Sequence, residues 1–444
     1  MKNKYLIIDK SGNIINAKEY RGSDACSNEM AICIDREVLN IPLKKQDGEP
    51  RYLKNARKLG FSWEDNSSIG FLSYDYKANL ILRLVKEYAR HLVHGIGLPI
   101  YEVSGSNFFD LKHPVVQSYA GLFGDRLFRF KSDYDELVMS YDASYPQFNL
   151  AGKYNIQEKH LPFAHFSISD CYRYEQSGEC MVLFRGRRFN MPDIHPYFKD
   201  IDQAWEWYEK FEDQLKAGFE LANRDYINVA KVSSEENWDK YKRNIAEIAQ
   251  RNQKEMLVEI KMDGEDRYWI VDIDYSFIDD LEQVREIGCI QIDVGNAERL
   301  GIKYQDSDQK SHYPVIIHSA IPGGIERYIY MLIDDMGKFP IYFQPVQLRI
   351  IPVSDKFIDY TKNLAYKYSH IRIDIDDRKE GVSWKIKQAH EEMIPECVVI
   401  GEREMQEGEL PASFVEKVNG IEKSCEGLPQ VPNSIQKMIS RRVV

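Results

Sequence analysis

The spacing of hydrophobic residues divides the chain into stretches of different character. Near the N-terminus, KYLIIDKSGNIINAKEY alternates apolar and polar positions, which predicts a hairpin turning at Ser11-Gly12. AICIDREVLNIPLKK predicts a further strand entering a polar loop. From Lys77 the apolar period becomes helical. The helical stripe consists of Leu80, Ile81, Leu84, Val85, Tyr88, Leu92 and Val93. Residues 1–75 are therefore predicted to be a small β-rich appendage ahead of a long amphipathic helix.

The middle of the chain alternates helical stretches with strongly apolar short ones. Residues 201–222 and 234–253 have a helical period, and GGIERYIYMLIDDMG predicts another helix. Between them, strands are predicted in MLVEIKM, YWIVDIDYSF, GCIQIDV and YPVIIHSA. Because strands dominate this part, we expect an antiparallel sheet flanked by helices.

The pattern changes again after FPIYFQPVQ. LRIIPVS, HIRIDIDD and ECVVIGER predict buried strands, and DKFIDYTKNLAYKYS and GVSWKIKQAHEEM predict the helices between them. Such alternation predicts a small α/β domain with a mostly parallel sheet. The predicted fold class is thus α/β (α+β), with domains at 1–75, 76–343 and 344–444 and a proline-punctuated C-terminal tail.

Composition and charge narrow the function. The 444 residues carry a formal net charge of −11, which excludes nucleic-acid binding through bulk positive charge and requires local basic clusters instead. The seven cysteines form no CxxC pair or even framework, which is typical of thiols in a reducing compartment. No apolar run approaches the roughly 20 residues of a membrane span or resembles a signal peptide. We therefore expect a cytoplasmic protein.

One short segment concentrates arginines beside carboxylates. CYRYEQSGECMVLFRGRRFNMPDIH contains Arg173 and Arg185, with Glu175 and Glu179 close by. Guanidinium groups match phosphate oxygens and stack on purines, and a carboxylate can accept a hydrogen bond from a base amine. The segment alone also suits a solvated hairpin with surface ion pairs.

This arginine hairpin resembles motif 2 of class II aminoacyl-tRNA synthetases, specifically of the archaeal threonyl-tRNA synthetases. GCIQIDV, YPVIIHSAIPGGIERYIYML and FPIYFQPVQLRIIPVS resemble, in that order, the family's ATP-side strand, its motif 3 and its entry into the anticodon-binding domain. The likeness runs from about residue 76 to the C-terminus. It implies a class II catalytic domain at 76–343 and an anticodon-binding domain at 344–444.

The resemblance also implies an activity and its partners. The family activates threonine with ATP and Mg²⁺ to threonyl-adenylate, transfers it to tRNA and acts as a homodimer. In the implied roles, Arg173 holds the α-phosphate and the amino-acid carboxylate, Glu175 the adenine amine, and Arg185 the γ-phosphate side. Gln291 lies at the nucleotide and the reacting carboxylate, with Asp293 behind it. Arg327 reaches over the nucleotide from the opposite face.

The family's zinc site is only partly matched. His195 and His318 correspond to two zinc ligands and Asp193 to the acid that recognises the substrate hydroxyl, whereas Ser144 stands where the third ligand is a cysteine. A neutral hydroxyl is a poor zinc ligand. Asp142 would share the face of Ser144 on a strand and could complete a His-His-Asp site. By itself, a histidine such as His318 in VIIHSA is more typical of a satisfied core residue.

The C-terminal domain shows a similar mixture. Glu404 matches an anticodon contact of the family, but Ser413, in a strand expected after Gly408, stands where the family has arginine. Lys387 belongs to a local basic group that would meet tRNA, or else forms a solvated helix face. The other members of this group are Lys385, Arg378 and Lys379.

Only about 75 residues precede the catalytic helix, so the serine-removing domain of many archaeal relatives has no counterpart. Either a separate protein edits or the site discriminates alone. Because one methyl group is worth only about 1 to 3 kcal/mol of binding, we favour a separate editing protein. Two alternatives to a threonine-tRNA ligase remain: a diverged paralogue that activates another amino acid for a non-tRNA acceptor, and a non-catalytic tRNA-binding or regulatory protein.

Overall fold

The structure is a computed structural model and describes residues 3–42, 48–133 and 135–424. Its strands are β1 (Asn3–Ile8), β2 (Ile14–Asn16), β3 (Phe61–Trp63), β4 (Leu72–Tyr74), β5 (Ile100–Glu102), β6 (Phe108–Asp110), β7 (Arg129–Lys131), β8 (Glu136–Met139), β9 (Ile156–Gln157), β10 (Phe163–Tyr172), β11 (Arg188–Phe198), β12 (Ile227–Val232), β13 (Met256–Lys261), β14 (Trp269–Ile278), β15 (Val284–Asp293), β16 (Tyr304–Gln305), β17 (Ser311–His312), β18 (Val315–Ala320), β19 (Leu348–Pro352), β20 (Ile373–Ile375) and β21 (Cys397–Ile400).

The α-helices are α1 (Ala17–Arg21), α2 (Asn28–Glu37), α3 (Arg51–Lys58), α4 (Tyr76–His94), α5 (Pro114–Ala120), α6 (Ser144–Ala151), α7 (Ile201–Leu221), α8 (Glu235–Asn252), α9 (Asn296–Arg299), α10 (Ile325–Asp334), α11 (Ile358–Lys367), α12 (Val382–Glu391), α13 (Glu402–Glu407) and α14 (Ala412–Ser424). Within the described ranges, none of these helices combines the length and the apolar character that crossing a bilayer requires.

A ten-stranded sheet organises most of the chain. Its strand order is β2-β1-β13-β12-β14-β15-β18-β11-β10-β5. Neighbours are antiparallel except for the pairs β12–β13 and β10–β5. The predicted antiparallel sheet flanked by helices is therefore confirmed.

Helices α4, α7 and α10 pack over one face of this sheet. The Asp75 carboxylate caps α4 by accepting the backbone N–H groups of Lys77 and Ala78 at 2.8 and 3.0 Å. All seven residues of the predicted apolar stripe are buried, in one core with side chains of α7 and α10. Because successive side chains of a strand alternate between faces, the polar residues of these strands lie on the opposite face.

The N-terminal segment is part of the large sheet. The hairpin predicted at Ser11-Gly12 is confirmed as β1 and β2, and β1 pairs with β13 along its whole length. The strand predicted from residue 31 is wrong, because residues 28–37 form helix α2. Ser27 caps this helix, and Met30, Cys33 and Ile34 are buried at helical spacing. The segment is therefore an extension of the sheet that carries helices, and not a β-rich appendage.

The C-terminal domain has the predicted parallel sheet, in the order β20-β19-β21. The strand expected at residues 409–414 is wrong, because α14 begins at Ala412 and contains Ser413. Leu410, Phe414 and Val418 are buried at a spacing of four residues, which favours the helix. The proline-punctuated tail of the sequence prediction, residues 427–444, lies outside the described residues.

Integration of the N-terminal segment can be tested by truncating one buried side chain. Ile7 on β1 is fully buried, so Ile7→Ala is expected to lower the free energy of unfolding by about 2–5 kcal/mol. Ile14 on the adjacent β2 is 45% exposed, so Ile14→Ala is expected to cost less than about 0.5 kcal/mol. Urea denaturation followed by tryptophan fluorescence measures both, and equal costs for the two variants would contradict this packing.

Candidate active site

A row of polar side chains crosses the face of the large sheet opposite α4, α7 and α10. Strand register places His165 opposite His195, His318 opposite Gln291, and Asp272 between Gln291 and Lys231. His195 and His318 are joined by a 3.1 Å contact between their ring nitrogens. The row therefore extends over the adjacent strands β10, β11, β18, β15, β14 and β12.

A cleft of about 400 Å³ opens over part of this row. Its walls come from the β10–β11 connection, from β15 and β18, and from the start of α10. Among its lining residues are six that the sequence singled out: Arg173, Glu175, Arg185, Asp193, His318 and Arg327. Gln291 lies outside this lining and donates a hydrogen bond to the Asp272 carboxylate at 3.1 Å.

Arg173 is held in place from several sides. Its Nε donates to the carbonyl of Tyr141 at 3.0 Å, and its guanidinium lies 5.4 Å from the ring centre of Phe123 and 5.1 Å from that of Phe189. Cation–π contacts of this kind orient a guanidinium while its remaining N–H groups stay available. Arg173 therefore presents donors to the cleft.

The other arginines of the hairpin divide into one that faces the cleft and two that support the loop. Arg187 is buried and donates to the carbonyl of Glu175 at 2.9 Å, and Arg188 pairs with Asp170. Arg185 is half-exposed, with Glu179 at 3.8 Å as its ion-pair partner. Arg185 is thus the second hairpin arginine that lines the cleft.

The opposite wall carries Arg327 at the start of α10. Its guanidinium lies 4.8 Å from the ring centre of Phe184 and 3.5 Å from the Glu286 carboxylate. The preceding residue, Glu326, is buried and accepts hydrogen bonds from the backbone N–H of Asn190 at 2.7 Å and the hydroxyl of Tyr74 at 3.1 Å. Glu326 therefore connects the two arginine-bearing walls.

The two predicted zinc-binding histidines meet at the base of the cleft with fixed tautomers. Asp293 accepts from His318 Nε2 at 2.7 Å, so that nitrogen carries the hydrogen. The amide oxygen of Gln147 lies 2.8 Å from His195 Nδ1, so hydrogen is placed there as well. In the neutral forms, the lone pairs of His195 Nε2 and His318 Nδ1 therefore face one another.

Burial and neighbouring charges shift the ionisation of this group. Burial drives the pKa of His195 well below its usual value. Burial opposes the charged form of His318, but the hydrogen bond and charge of Asp293 outweigh it and raise the pKa of His318. Burial raises the pKa of Asp193 to about 7, although nearby His318 counteracts it. The pocket therefore combines two acceptor nitrogens with a carboxyl group whose pKa is raised.

The donor set fits a zinc ion only in part. The two imidazole nitrogens suit zinc, and the hydroxyl of Ser144 lies 3.5 Å from His318 Nδ1, but a neutral hydroxyl does not replace a thiolate. The carboxylate of Asp193 lies 3.6 Å from His195 Nε2. Within residues 3–42, 48–133 and 135–424, no group of three or more histidine, cysteine or acidic side chains is arranged for a metal.

Asp142 lies near enough to His318 for its charge to help raise the pKa of that histidine, but its hydrogen bonds run elsewhere. It lies in the loop between β8 and α6, and Ser144 begins α6, so the strand that was expected to align these two residues is absent. The Asp142 carboxyl accepts the backbone N–H of Tyr145 at 3.2 Å and a hydrogen bond from Tyr119. Burial raises its pKa against these hydrogen bonds. These contacts show that the Asp142 carboxyl holds the loop before α6 in place.

The predicted tRNA contacts are distributed over the C-terminal domain. Glu404 accepts the backbone N–H of Gly401 at 3.0 Å and so caps α13. Lys387 is exposed on α12, 3.8 Å from Glu391. The prediction that Lys385 belongs to the same exposed basic group is wrong. Lys385 is buried, and its ammonium donates to the carbonyl of Asp376, the residue that follows β20, at 3.0 Å.

Two residues of the site had no recognised signal in the sequence. Gln147 is fully buried beneath His195, and its only signature is a polar position within the short apolar helix SYPQFNLA. Phe189 lines the cleft next to Arg173. It could have been found from its place beside the hairpin arginines, where a ring offers a stacking surface.

Comparison with known proteins agrees with this arrangement. The family model "tRNA synthetase class II core domain (G, H, P, S and T)" matches residues 128–336, and "Anticodon binding domain" matches residues 347–425. Threonine–tRNA ligase from Pyrobaculum islandicum is 36% identical over 99% of this chain and 74% of its own length. Threonine–tRNA ligase from Nanoarchaeum equitans is 34% identical over 98% of this chain and 72% of its own length.

Solved structures share the fold. The RNA-binding domain of threonyl-tRNA synthetase from Cryptosporidium parvum Iowa II superposes with a TM-score of 0.69, at 20% identity over 81% of this chain and 91% of that one. Prolyl-tRNA synthetase from Cryptosporidium parvum gives a TM-score of 0.63 at 12% identity, over 87% of this chain and 78% of that one. With the sequence relationship covering nearly the whole chain, the protein belongs to the threonyl-tRNA synthetase family of class II aminoacyl-tRNA synthetases.

Proposed function

We propose that the chain is a threonine–tRNA ligase that joins threonine to ATP as threonyl-adenylate and then transfers the threonyl group to tRNA. The observation that carries this proposal is the meeting of Arg173 and Arg327, from two distant segments, in one cleft that also contains Asp193 and His318. His195 lies behind His318, in contact with its ring. The named activities of the archaeal relatives support it.

The arginines account for the first step. A carboxylate oxygen of the amino acid attacks the α-phosphorus, and the bond to pyrophosphate breaks. Negative charge gathers on the phosphate oxygens, where fixed guanidinium donors stabilise it most. Arg173 would bind the α-phosphate and the attacking carboxylate, and Arg185 the pyrophosphate end. No enzyme nucleophile is needed, because the amino acid itself provides the attacking oxygen.

The adenine would lie between the two arginine-bearing walls. Phe189 on β11 and the Arg327 guanidinium offer a ring face and a planar cation, both of which stack on purines. The Glu175 carboxylate, buried at the same wall, would accept from the adenine amine. Mg²⁺, when bound, neutralises triphosphate charge, and the cleft carboxylate beside Arg327 that would help hold it is Glu286.

Threonine would occupy the pocket beyond the α-phosphate. Its hydroxyl would donate to Asp193, and the lone pairs of His195 and His318 favour a donor or a cation between them. Gln291, opposite His318 on the neighbouring strand β15, would approach the reacting carboxylate from that side. Ser144 supplies a hydroxyl at the same place.

Exposed side chains suggest where a second copy of the chain and a tRNA would bind. Strand β5 ends the ten-stranded sheet, and its Tyr101 is 58% exposed, which suits pairing with a second copy in a homodimer. The tRNA would contact the C-terminal domain through Lys387 and Glu404. Serine differs from threonine by one methyl group, so we also propose that a separate editing protein corrects serine errors.

Two rival functions differ in measurable ways. A paralogue with another substrate would exchange pyrophosphate with an amino acid other than threonine, and a non-catalytic tRNA-binding protein would exchange it with none. ATP–pyrophosphate exchange with each of the twenty amino acids distinguishes the three functions. We expect threonine to be activated best, and activation of a different amino acid, or of none, would contradict the proposal.

Arg173→Ala and Arg327→Ala are each expected to slow adenylation by about 10²–10³-fold, because each removes a donor to the developing charge. Pyrophosphate exchange with threonine measures the rate, and circular dichroism checks the fold. Arg188→Ala is the matched control, since Arg188 pairs with Asp170 outside the cleft lining. Near wild-type exchange in both cleft variants would exclude the assigned roles.

Zinc content should depend on residue 144. The wild-type protein is expected to retain well below one zinc ion per chain after dialysis and to discriminate poorly against serine. Ser144→Cys supplies the missing thiolate beside His195 and His318 and is expected to bring the content to about one per chain. Elemental analysis measures the zinc content of the wild type and of the variant. Ser140→Cys, a nearby buried control, should leave the content unchanged, and one tightly held zinc in the wild type would refute the expectation.

Binding of tRNA should depend on salt despite the acidic net charge. Counterion release makes the logarithm of affinity fall linearly with that of salt concentration, and loss of one phosphate contact lowers the slope by about one. Lys387→Gln is expected to show this reduced slope in filter binding. Lys240→Gln, an exposed control on α8, should match the wild type. An affinity independent of salt would overturn the assignment.

A further inference from the structure

We propose that Gln147 is a positioning residue of the amino-acid pocket, which fixes the tautomer of His195 and the place of Asp193 and thereby sets the selection of a hydroxyl-bearing amino acid. The inference rests on the proposed function for its substrate. Its structural part concerns this chain alone and can be measured without catalysis.

Gln147 lies at the centre of the contacts beneath the pocket. It sits on α6, is fully buried, and touches both β10 and β11. Its side-chain nitrogen donates to the hydroxyl of Ser167 at 2.8 Å and to the carbonyl of Asp193 at 3.0 Å. Its side-chain oxygen faces His195 Nδ1 at 2.8 Å, and its backbone carbonyl faces His165 Nδ1 at 3.2 Å. One side chain thus contacts the ring of His195 and the backbone of Asp193.

These contacts leave one orientation of the Gln147 amide. The carbonyl of Asp193 can only accept, so the atom 3.0 Å away must be the donating nitrogen. The amide oxygen is then the atom that faces His195, and it can only accept. His195 must therefore carry its hydrogen on Nδ1 and present the lone pair of Nε2 to the pocket.

The orientation matters for substrate choice because the pocket must accept hydrogen bonds. The Nε2 lone pair lies 3.1 Å from His318 Nδ1, whose own hydrogen bond to Asp293 gives it a lone pair as well. A substrate hydroxyl or ammonium donates. If His195 carried its hydrogen on Nε2, it would donate to His318 Nδ1, and the substrate would lose both acceptor nitrogens and keep only the Asp193 carboxylate. Valine has the shape of threonine without the hydroxyl, so selection against valine depends on this acceptor geometry.

Gln147 also fixes the acid that is assigned to the hydroxyl. The bond from its nitrogen to the Asp193 carbonyl holds the backbone of β11 at the residue whose side chain enters the cleft. Its neighbour Ser167 lies opposite Asp193 in the β10–β11 pair, so both strands are tied to the same amide. A displaced β11 would move His195 and Asp193 together.

The test compares Gln147→Met, which keeps the volume and removes the hydrogen bonds, with the wild type. In the variant, the KM for threonine is expected to rise about 10- to 100-fold while the KM for ATP changes little, and the threonine-over-valine ratio of kcat/KM should fall. Selectively labelled ¹⁵N-histidine NMR, with His195→Asn to assign the signal, should show loss of the single Nδ1–H tautomer. A destabilised protein with intact geometry would not produce this shift.

Gln347→Met is the matched control. Gln347 is also fully buried, and it bonds the carbonyl of Ile341 at 3.1 Å and the backbone N–H of Arg372 at 3.0 Å, far from the cleft. It should lose stability without changing the His195 signal or the KM for threonine. The same effect in both variants would show that the response is general destabilisation and would overturn the proposal.

Gln147→Glu provides a second test if the methionine variant does not fold. Its carboxylate still accepts from His195 Nδ1 but cannot donate to Asp193, so the Nδ1–H tautomer should persist. An altered tautomer in this variant, or an unchanged tautomer together with unchanged threonine-over-valine selection in a folded methionine variant, would refute the role of Gln147. If the wild type does not activate threonine, the proposed function fails, while the tautomer measurement still decides the structural part.

Discussion

Alternation of side chains along the strands of the ten-stranded sheet is the constraint on which the rest of the molecule depends. Ile273, Ile290 and Ile317 lie in the core shared with α4, α7 and α10, and the residues next to them in each strand point to the other face. Asp272, Gln291 and His318 therefore share the opposite face by register. The packing that makes the core also aligns the polar residues, so stability and the site have the same origin.

This constraint explains why much of the fold was predictable. The apolar stripe of α4 repeats with a clear helical period, and it was found. The parallel C-terminal strands were also found, because apolar runs alternate with helical segments there. Helix α2 was missed because its ten residues offer only two to three turns, over which AICIDRE alternates almost as a strand does. Ser413 was placed in a strand for a similar reason, since Pro411 obscures the four-residue spacing that continues from Leu410.

The site was predictable where its residues carry charge or stand in a motif. Arg173, Glu175 and Arg327 reach the same cleft because two motifs distant in sequence supply its walls. Gln147 could not be found this way, since its contacts run to the backbone of β11 and a ring nitrogen that only the folded chain brings near. The burial of Lys385 shows the converse, because a charge in the sequence says nothing about which side of a helix is covered.

The buried carboxyl of Glu326 holds the two walls of the cleft together. Burial raises its pKa, against hydrogen bonds that include that of the Asn190 backbone, and its bonds to Asn190 and Tyr74 hold the helix of one wall against the strand of the other. The separation of the walls is thus set by the protein interior before any ligand arrives. A ligand that enters such a preformed cleft pays less conformational entropy for ordering its walls.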